Sequence, residues 1–452
     1  MKTKICSIVC IVCVLFSFPF ALASCNSNDA VGIQSAEINE NGELVLIYSD
    51  GSEQNLGVVV GKDGTNGVDG KDGANGENGT NGSDGSITIT TSGSNIPVAS
   101  SKGLRSAVSI VCKFQATVQQ GGWRPGSGST TTKDYSSEGS GVIYQMDKAN
   151  GDAFIITNYH VVYDASSNTE NGISNDISVY LYGSEIEEKA IKATYVGGSL
   201  YYDTAVLRVE DSEILAASSA CAVTAADSDE IVVGDGAIAI GNAQGLGISS
   251  TSGVISVDSE YITMTAADEK TKVSFRVMRV DTAINSGNSG GGLYDDEGNL
   301  IGIVNAKIID DGVENIGYAI PSNVAVSIAQ NIIDYCYGTD TERVQRAFLG
   351  ITVSALDSKA VYDSTTGLIS IKETVSVYEV SSGSLADGVL QAGDVLVSAN
   401  INGNTTEITR QYHIIDMMLN VRVGDVVTLK ILRGGEEMTV SITITEECLT
   451  AY

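Results

Sequence analysis

The stretch Asn285-Ser286-Gly287-Asn288-Ser289-Gly290-Gly291 sets one serine hydroxyl in a backbone freed by glycine on both sides. Glycine lets neighbouring N–H groups turn toward a single point, which is the geometry that holds a developing oxyanion. A serine hydroxyl is a poor nucleophile alone and needs a base to take its proton. The chain has only 2 His, so the base is His160 or His413. His160 ends the run Ile155-Ile156-Thr157-Asn158-Tyr159-His160-Val161, just past an apolar strand, whereas His413 lies in a distal helical stretch with no Gly-Ser partner. A carboxylate to orient an imidazole stands at the mouth of a second apolar strand, Asp203-Thr204-Ala205-Val206-Leu207.

The chain order His160, Asp203, Ser289 is the one used by double-barrel members of the convergent Ser-His-Asp triads. In that reading His160 takes the Ser289 proton and returns it to a leaving amine. Asp203 fixes the tautomer, and the N–H groups of Gly287 and Ser289 form the oxyanion hole. Each segment alone is a weak signal. Three in the right order, each at a strand end, form a strong one.

Composition bounds the rest. The 452 residues include 26 basic and 56 acidic side chains, for a net charge of −30. Such a surface repels phosphate backbones and anionic headgroups, so no nucleic-acid partner is expected. Two histidines exclude a multi-His metal centre, no P-loop is present, and the expectation is no metal and no cofactor. Hydrophobic residues make up 42 %, enough for real cores.

The chain reads as five parts. Residues 1–24 have signal-peptide architecture, with Lys2 and Lys4 before an apolar run. They end in Leu22-Ala23-Ser24-Cys25, which resembles a bacterial lipobox, so Cys25 is the expected lipidation site and the membrane is a partner through that anchor alone. Residues 25–60 hold a polar spacer and a small β-hairpin. Residues 61–87 place Gly at 61, 64, 67, 70, 73, 76, 79, 82 and 85, a collagen-like period with no Pro among the residues between. It is either a flexible tether, spanning roughly 75 Å if extended, or a short triple helix. Residues 96–336 show short, β-branched, Gly-bounded strands of an all-β barrel pair. Gln119–Glu138 reads as a long loop carrying Trp123, and Ser322–Tyr335 as a helix. Residues 345–446 form a small α/β unit with strands near Leu349–Val353, Val375–Val380, Val395–Ser398 and Val426–Leu432, and a helix near Arg410–Leu419. After loss of the signal and lipidation, Cys112, Cys221, Cys336 and Cys448 remain, either paired or as buried free thiols.

Residues 104–446 resemble the HtrA/Deg family of serine proteases, a trypsin-like domain followed by a PDZ domain. The matching segments are Gly139-Ser140-Gly141-Val142-Ile143, Thr157-Asn158-Tyr159-His160-Val161, Asp203-Thr204-Ala205-Val206-Leu207 and Ala239-Ile240-Gly241-Asn242. They continue with Thr251-Ser252-Gly253-Val254-Ile255-Ser256, Asp281-Thr282-Ala283-Ile284-Asn285, Gly287-Asn288-Ser289-Gly290-Gly291 and Gly317-Tyr318-Ala319-Ile320-Pro321. The resemblance implies a mainly β fold, a chymotrypsin-like double β-barrel plus PDZ domain, and an endopeptidase acting on misfolded or signalling proteins. It also implies a homotrimer, and a specificity pocket beside Ile284, Asn305 and Ala306 that takes small or medium apolar side chains. Arg346-Ala347-Phe348-Leu349-Gly350-Ile351 resembles the PDZ loop that holds a peptide's terminal carboxylate, giving Phe348, Leu349, Gly350 and Ile351 as peptide-binding residues, with His413 on the presumed groove helix.

Two departures from the family pattern, Ser286 and Gly292 in place of proline, should loosen the oxyanion loop. Asn288 is a neutral amide where digestive relatives hold an Asp neutralised by a new N-terminus, so zymogen cleavage is not the expected switch. Two readings follow: an ATP-independent protease lipid-anchored on the extracytoplasmic face of a bacterial envelope, or a lipoprotein chaperone or peptide-binding scaffold whose triad is idle.

Overall fold

The computed structural model describes residues 33–39, 43–49, 51–58, 95–120, 129–306 and 316–451. The signal segment, Cys25, the 61–87 repeat and Trp123 lie outside the described residues. The chain divides into two units, Met1–Thr88 and Ile89–Tyr452.

In the first unit, β1 (Ile33–Ile38), β2 (Glu43–Tyr48) and β3 (Glu53–Val58) form an antiparallel meander in that order. The expected hairpin is thus β2–β3, and β1 adds a third strand that the weakly patterned Ile33–Ile38 did not announce.

The second unit opens with helix α1 (Ile96–Leu104), whose Gly103 lies so close to Ile240 and Tyr294 that a Cβ would come within 2.6 Å of Ile240. A first closed barrel follows, built from β4 (Ala107–Gln120), β5 (Ser129–Asp147), β6 (Asp152–Thr157), β7 (Asp176–Leu181), β8 (Ile191–Ser199) and β9 (Thr204–Val209), hydrogen-bonded in the order β4-β5-β6-β9-β8-β7. Period-two burial makes it. Val108, Ile110, Cys112 and Phe114 of β4 all enter one core with Ile143, Ile155, Val179 and Leu207. Two short helices, α2 (Tyr159–Val162) and α3 (Glu213–Ala217), flank β6 and β9. The expected loop at Gln119–Glu138 is mostly strand: β4 and β5 pair from Ala107↔Val142 out to Gln120↔Ser129. Its Ser/Thr-rich sequence suits an exposed ribbon as well as a loop.

A second closed barrel contains β10 (Gly236–Gly241), β11 (Ser249–Thr265), β12 (Lys272–Val280), β13 (Gly292–Tyr294), β14 (Leu300–Val304) and β15 (Gly317–Pro321), in the order β10-β11-β12-β15-β14-β13. Gly292 belongs to β13, paired with both Ile240 and Ile303, and Ser286 O accepts Gln244 N–H at 2.7 Å. The two departures from proline are therefore tied into the fold rather than loose.

Helix α4 (Ser322–Cys336) matches the expected helix and starts directly after Pro321. Val324, Ala325, Ile328, Ala329 and Ile332 form one buried stripe at helical spacing. That stripe lies on β8 and β9 of the first barrel and on β14 and β15 of the second, so one helix clamps both. Burying each of these larger side chains stabilises by roughly 1.5–3 kcal/mol.

The last part contains β16 (Gln345–Ala347), β17 (Ile351–Asp363), β18 (Leu368–Val380), β19 (Val395–Ile401), β20 (Asn404–Glu407), α5 (Gln411–Met417), β21 (Val426–Arg433), β22 (Glu436–Thr443) and β23 (Leu449–Ala451). Its main sheet runs β17-β18-β19-β21-β22, with β20 on β19 and a separate β16–β23 pair. Strands β17 and β18 extend well beyond the expected segments. Asp394, fully buried, takes both Arg433 Nε and Nη2 at 2.7 Å and braces the start of β19.

This α/β part is tied to both barrels by arginines. Fully buried Arg276 donates to Asp416 Oδ2 at 2.7 Å and to Asp229 Oδ1 at 2.6 Å, and its guanidinium lies 3.5 Å from the centre of the Tyr412 ring. Arg346 reaches Tyr202 Oη at 2.6 Å and Arg410 reaches Asp258 at 3.1 Å. All four thiols, Cys112, Cys221, Cys336 and Cys448, are free. Burial pushes those of Cys112 and Cys336 up to about 12, so neither is a ready nucleophile.

Candidate active site

His160 stands on the single turn α2, where the chain leaves the buried strand β6. Its Nδ1 lies 2.6 Å from Asp203 Oδ2, and its backbone N–H donates to Asp203 Oδ1 at 2.9 Å. One carboxylate therefore grips both ring and backbone of the same residue. With the proton on Nδ1 donated to the carboxylate, Nε2 keeps the lone pair that a base requires.

Asp203 occupies the sharp link between β8 and β9 with φ of 49°, a left-handed conformation that costs a non-glycine residue on the order of 1 kcal/mol. Neighbouring bonds hold it there: its carbonyl accepts Asn158 Nδ2–H at 2.8 Å and Tyr159 N–H at 3.1 Å. A further donor was not legible as such. Asn305, fully buried at the end of β14, donates Nδ2–H to Asp203 Oδ2 at 2.8 Å. The resemblance set Asn305 beside the specificity pocket, but its side chain turns to the carboxylate.

Ser289 lies on the loop between β12 and β13 and is almost wholly buried. That loop is pinned against the first barrel. Ser140 N–H donates to Ser289 O at 2.8 Å, Ser140 Oγ donates to Gly287 O at 2.7 Å, and the same Oγ accepts Asn242 N–H at 2.8 Å. Ser140 thus orients the carbonyls on either side of Asn288. Two glycines are obligatory. A Cβ on Gly287 (φ +93°) would fall 2.2 Å from Asn242 O, and one on Gly290 (φ +84°) would fall 2.2 Å from Ser140 O and 2.4 Å from Thr157 Oγ1. The Gly290 contact also sets this loop against Asn158, two residues before His160. Among the described residues neither the Gly287 nor the Ser289 N–H donates to a backbone carbonyl.

Ile284 packs on Gly317, where a Cβ would meet Ile284 Cδ1 at 2.5 Å, and shares a cluster with Val280, Val304 and the half-buried Ala306. An imidazole backed by a buried carboxylate, a serine on a glycine loop and unengaged N–H groups can perform nucleophilic acyl transfer.

On the α/β part, a cavity of about 230 Å³ is lined by Arg346–Ile351, Val353, Ile414, Ile415 and Met418. Leu349 is buried, Phe348 half exposed under the Arg346 guanidinium, and Gly350 adopts φ of 81° as the loop enters β17. His413 does not line this groove. It faces a separate cleft of about 590 Å³ with Asp227, Asp229, Glu230 and Asp416, and its Nδ1 lies 2.8 Å from Glu407 O. Burial keeps its imidazole below the usual range. Among the described residues no His, Cys, Asp and Glu cluster could hold a metal ion.

Two closed barrels with this arrangement between them, followed by a small sheet with a peptide-sized groove, define a serine protease joined to a peptide-binding domain. Residues 139–303 match the trypsin-like peptidase domain family and residues 347–444 the PDZ domain family. The chain is 34 % identical over 333 residues to serine protease Do-like HtrA of Lactococcus lactis subsp. cremoris, covering 71 % of this chain and 74 % of that protein. It is 32 % identical over 352 residues to serine protease Do-like HtrA of Bacillus subtilis, covering 76 % and 71 %. Against periplasmic serine endoprotease DegP of Escherichia coli the figures are 30 % over 331 residues, 73 % and 61 %. The solved structure of HtrA-type protease AlgW with decapeptide aligns at 26 % identity over 78 % of this chain and 98 % of that one, with a TM-score of 0.47. The chain belongs to the HtrA family of serine proteases with a C-terminal PDZ domain.

Proposed function

We infer that Ser289 attacks the scissile carbonyl, that His160 carries the proton from Ser289 to the leaving amine, and that Asp203 holds the imidazole in the Nδ1–H tautomer. The N–H groups of Gly287 and Ser289 hold the oxyanion, and Ile284 with Ala306 shapes a pocket for a small or medium apolar side chain. The observation that supports this best is the double hold of Asp203 on His160, ring and backbone, by one buried carboxylate. The PDZ groove takes the free C-terminus of an extended polypeptide, its carboxylate on the amides around Leu349, Gly350 and Ile351 and its last side chain beside Ile414 and Met418. Substrates are misfolded or extended chains outside the cytoplasm, cut without ATP. Cys25 bears the lipid that keeps the enzyme, as a homotrimer, on the extracytoplasmic face of a bacterial membrane. Among the described residues no helix is long and apolar enough to cross a membrane.

Digestion of β-casein by the wild-type chain and by the His160→Ala and Ser289→Ala variants tests the catalytic assignment. Wild-type cleavage lost in both variants is expected. Equal cleavage by all three would refute it, and no cleavage by any would favour the scaffold reading. A Cys25→Ser chain expressed in bacteria should leave the membrane fraction, and its retention there would remove the anchor.

A further inference from the structure

The PDZ groove uses only the first residues of β17, yet β17 is an edge strand over all 13 of its residues. Among the described residues, Asp357–Asp363 pairs only with Leu368–Thr374 of β18; β18 meets β19 at Ser376↔Val395, and Glu373 N–H donates to Thr409 O at the base. The outer half is thus a two-stranded arm, roughly 20–25 Å long at about 3.3 Å per residue.

Register shows what the arm displays. Ile351, Val353 and Ala355 pair with Val380, Val377 and Val375. A bulge at Leu356 shifts the parity of β17, after which Ser358, Ala360 and Tyr362 pair with Glu373, Ile371 and Ile369. Odd-numbered residues of β18 from Ile369 to Val377 share one face, and Val375 and Val377 on it are buried in the domain core. The apolar face of the arm therefore continues the core face of the sheet past the point where α5 covers it. Tyr362 is 64 % exposed, Ile369 62 % and Ile371 36 %. The opposite face holds Asp357, Lys359, Val361 and Asp363, paired with Thr374, Lys372, Ser370 and Leu368. At the base Glu373 accepts Gln411 N–H, and Gln411 Nε2–H caps Val353 O, so a side chain of α5 closes the inner edge until a ligand strand displaces it.

We propose that this arm is a second binding site for substrate: it takes the segment upstream of a C-terminus seated in the PDZ groove, as an extended strand of about a dozen residues with alternating apolar side chains. The proposal rests on the groove reading given above. Polarity supports it, because a peptide antiparallel to β17 with its carboxylate at Gly350 runs N-terminally toward Asp363. Continuity supports it, because the groove and the arm share one strand edge. Long unfolded tails, rather than short terminal tags, are then the preferred cargo.

The test uses the full chain carrying Ser289→Ala to stop digestion, and two synthetic peptides with the same five C-terminal residues. One peptide stops there; the other adds eight upstream residues alternating Val and Ser. Fluorescence anisotropy should give about tenfold tighter binding of the long peptide. Adding Tyr362→Ser, Ile369→Ser and Ile371→Ser should lower the long peptide to the affinity of the short one and leave the short one unchanged. Equal affinities for wild-type arm and triple variant overturn the arm and leave the groove standing. A sedimentation shift to smaller species in the triple variant, with peptide affinities unchanged, gives the arm to self-association and likewise overturns the proposal. If a C-terminal amide binds as well as the free acid, or neither peptide binds, the groove reading fails and the arm with it.

Discussion

Asn305 and Asp203 meet across the two barrels: a fully buried amide at the end of β14 donates to the carboxylate that grips His160. The second barrel thus contributes to the orientation of the His160 imidazole as well as supplying Ser289. A hydrogen bond to a charged group is worth about 1.5–3 kcal/mol. Asn305→Ala should therefore lower kcat by about 10- to 100-fold with KM little changed, measured on a chromogenic peptide. A change in KM alone would return Asn305 to the specificity pocket.

Gly290 tolerates no side chain. A Cβ there would collide with Ser140 O and Thr157 Oγ1, and its φ is one that L side chains rarely adopt. Gly290→Ala should lower the melting temperature and reduce peptide turnover at least 100-fold, the scale of losing one oxyanion donor. Wild-type kinetics in that variant would mean the loop moves freely.

Asp394 and Arg433 set a pH dependence within the PDZ domain. The Arg433 hydrogen bond pulls the buried Asp394 carboxyl below its usual range. A carboxyl with a lowered folded pKa contributes stability that is complete above the unfolded value near 4 and fades as pH falls through the folded one. Asp394→Asn should destabilise the domain by about 2–4 kcal/mol at pH 7, less than a fully buried pair because Arg433 is partly exposed. The difference from wild type should shrink below pH 4 in urea melts; a constant difference down to pH 2 would show that the charge is irrelevant.

The junction between protease and PDZ domains has the opposite sign. Burial raises the Asp416 carboxyl to about 6, against the pull of Arg276. A raised carboxyl binds its proton more tightly when folded, so its contribution falls as pH rises from about 4 through 6. Arg276→Met removes the pull that opposes burial, so Asp416 is left unpaired and is driven further toward its protonated form; where pH keeps it charged, the junction loses about 3–5 kcal/mol. Calorimetry should show the PDZ transition separating from that of the protease at pH 8 and the two drawing together at pH 5. Separation that is equal at both pH values would exclude Asp416 as its source.

The strands that carry His160 and Asp203 were legible because each is a strong apolar run, and the Ser289 loop because glycines flank it. The helix Ser322–Cys336 and the strand Gly236–Gly241 were legible for the same local reason. Asn305 was not, because its partner is 102 residues away and no local pattern marks a side chain turned toward it. The arm from Asp357 to Asp363 was missed because Asp-Ser-Lys-Ala-Val-Tyr-Asp lacks a β-branched run; its pairing with Leu368–Thr374 makes it strand. His413 was set on the groove helix correctly, but a helix of this length has two sides, and sequence could not say that its imidazole faces the Asp229 cleft.

The central claim is that Ser289 is a nucleophile activated by His160 and Asp203. Labelling with a serine-directed fluorophosphonate measures that most directly. The wild-type chain should label stoichiometrically, Ser289→Ala should not label, and His160→Ala and Asp203→Asn should label at least 1,000-fold more slowly. Labelling of Ser289→Ala at the wild-type rate, or no labelling of folded wild-type protein, would contradict the account.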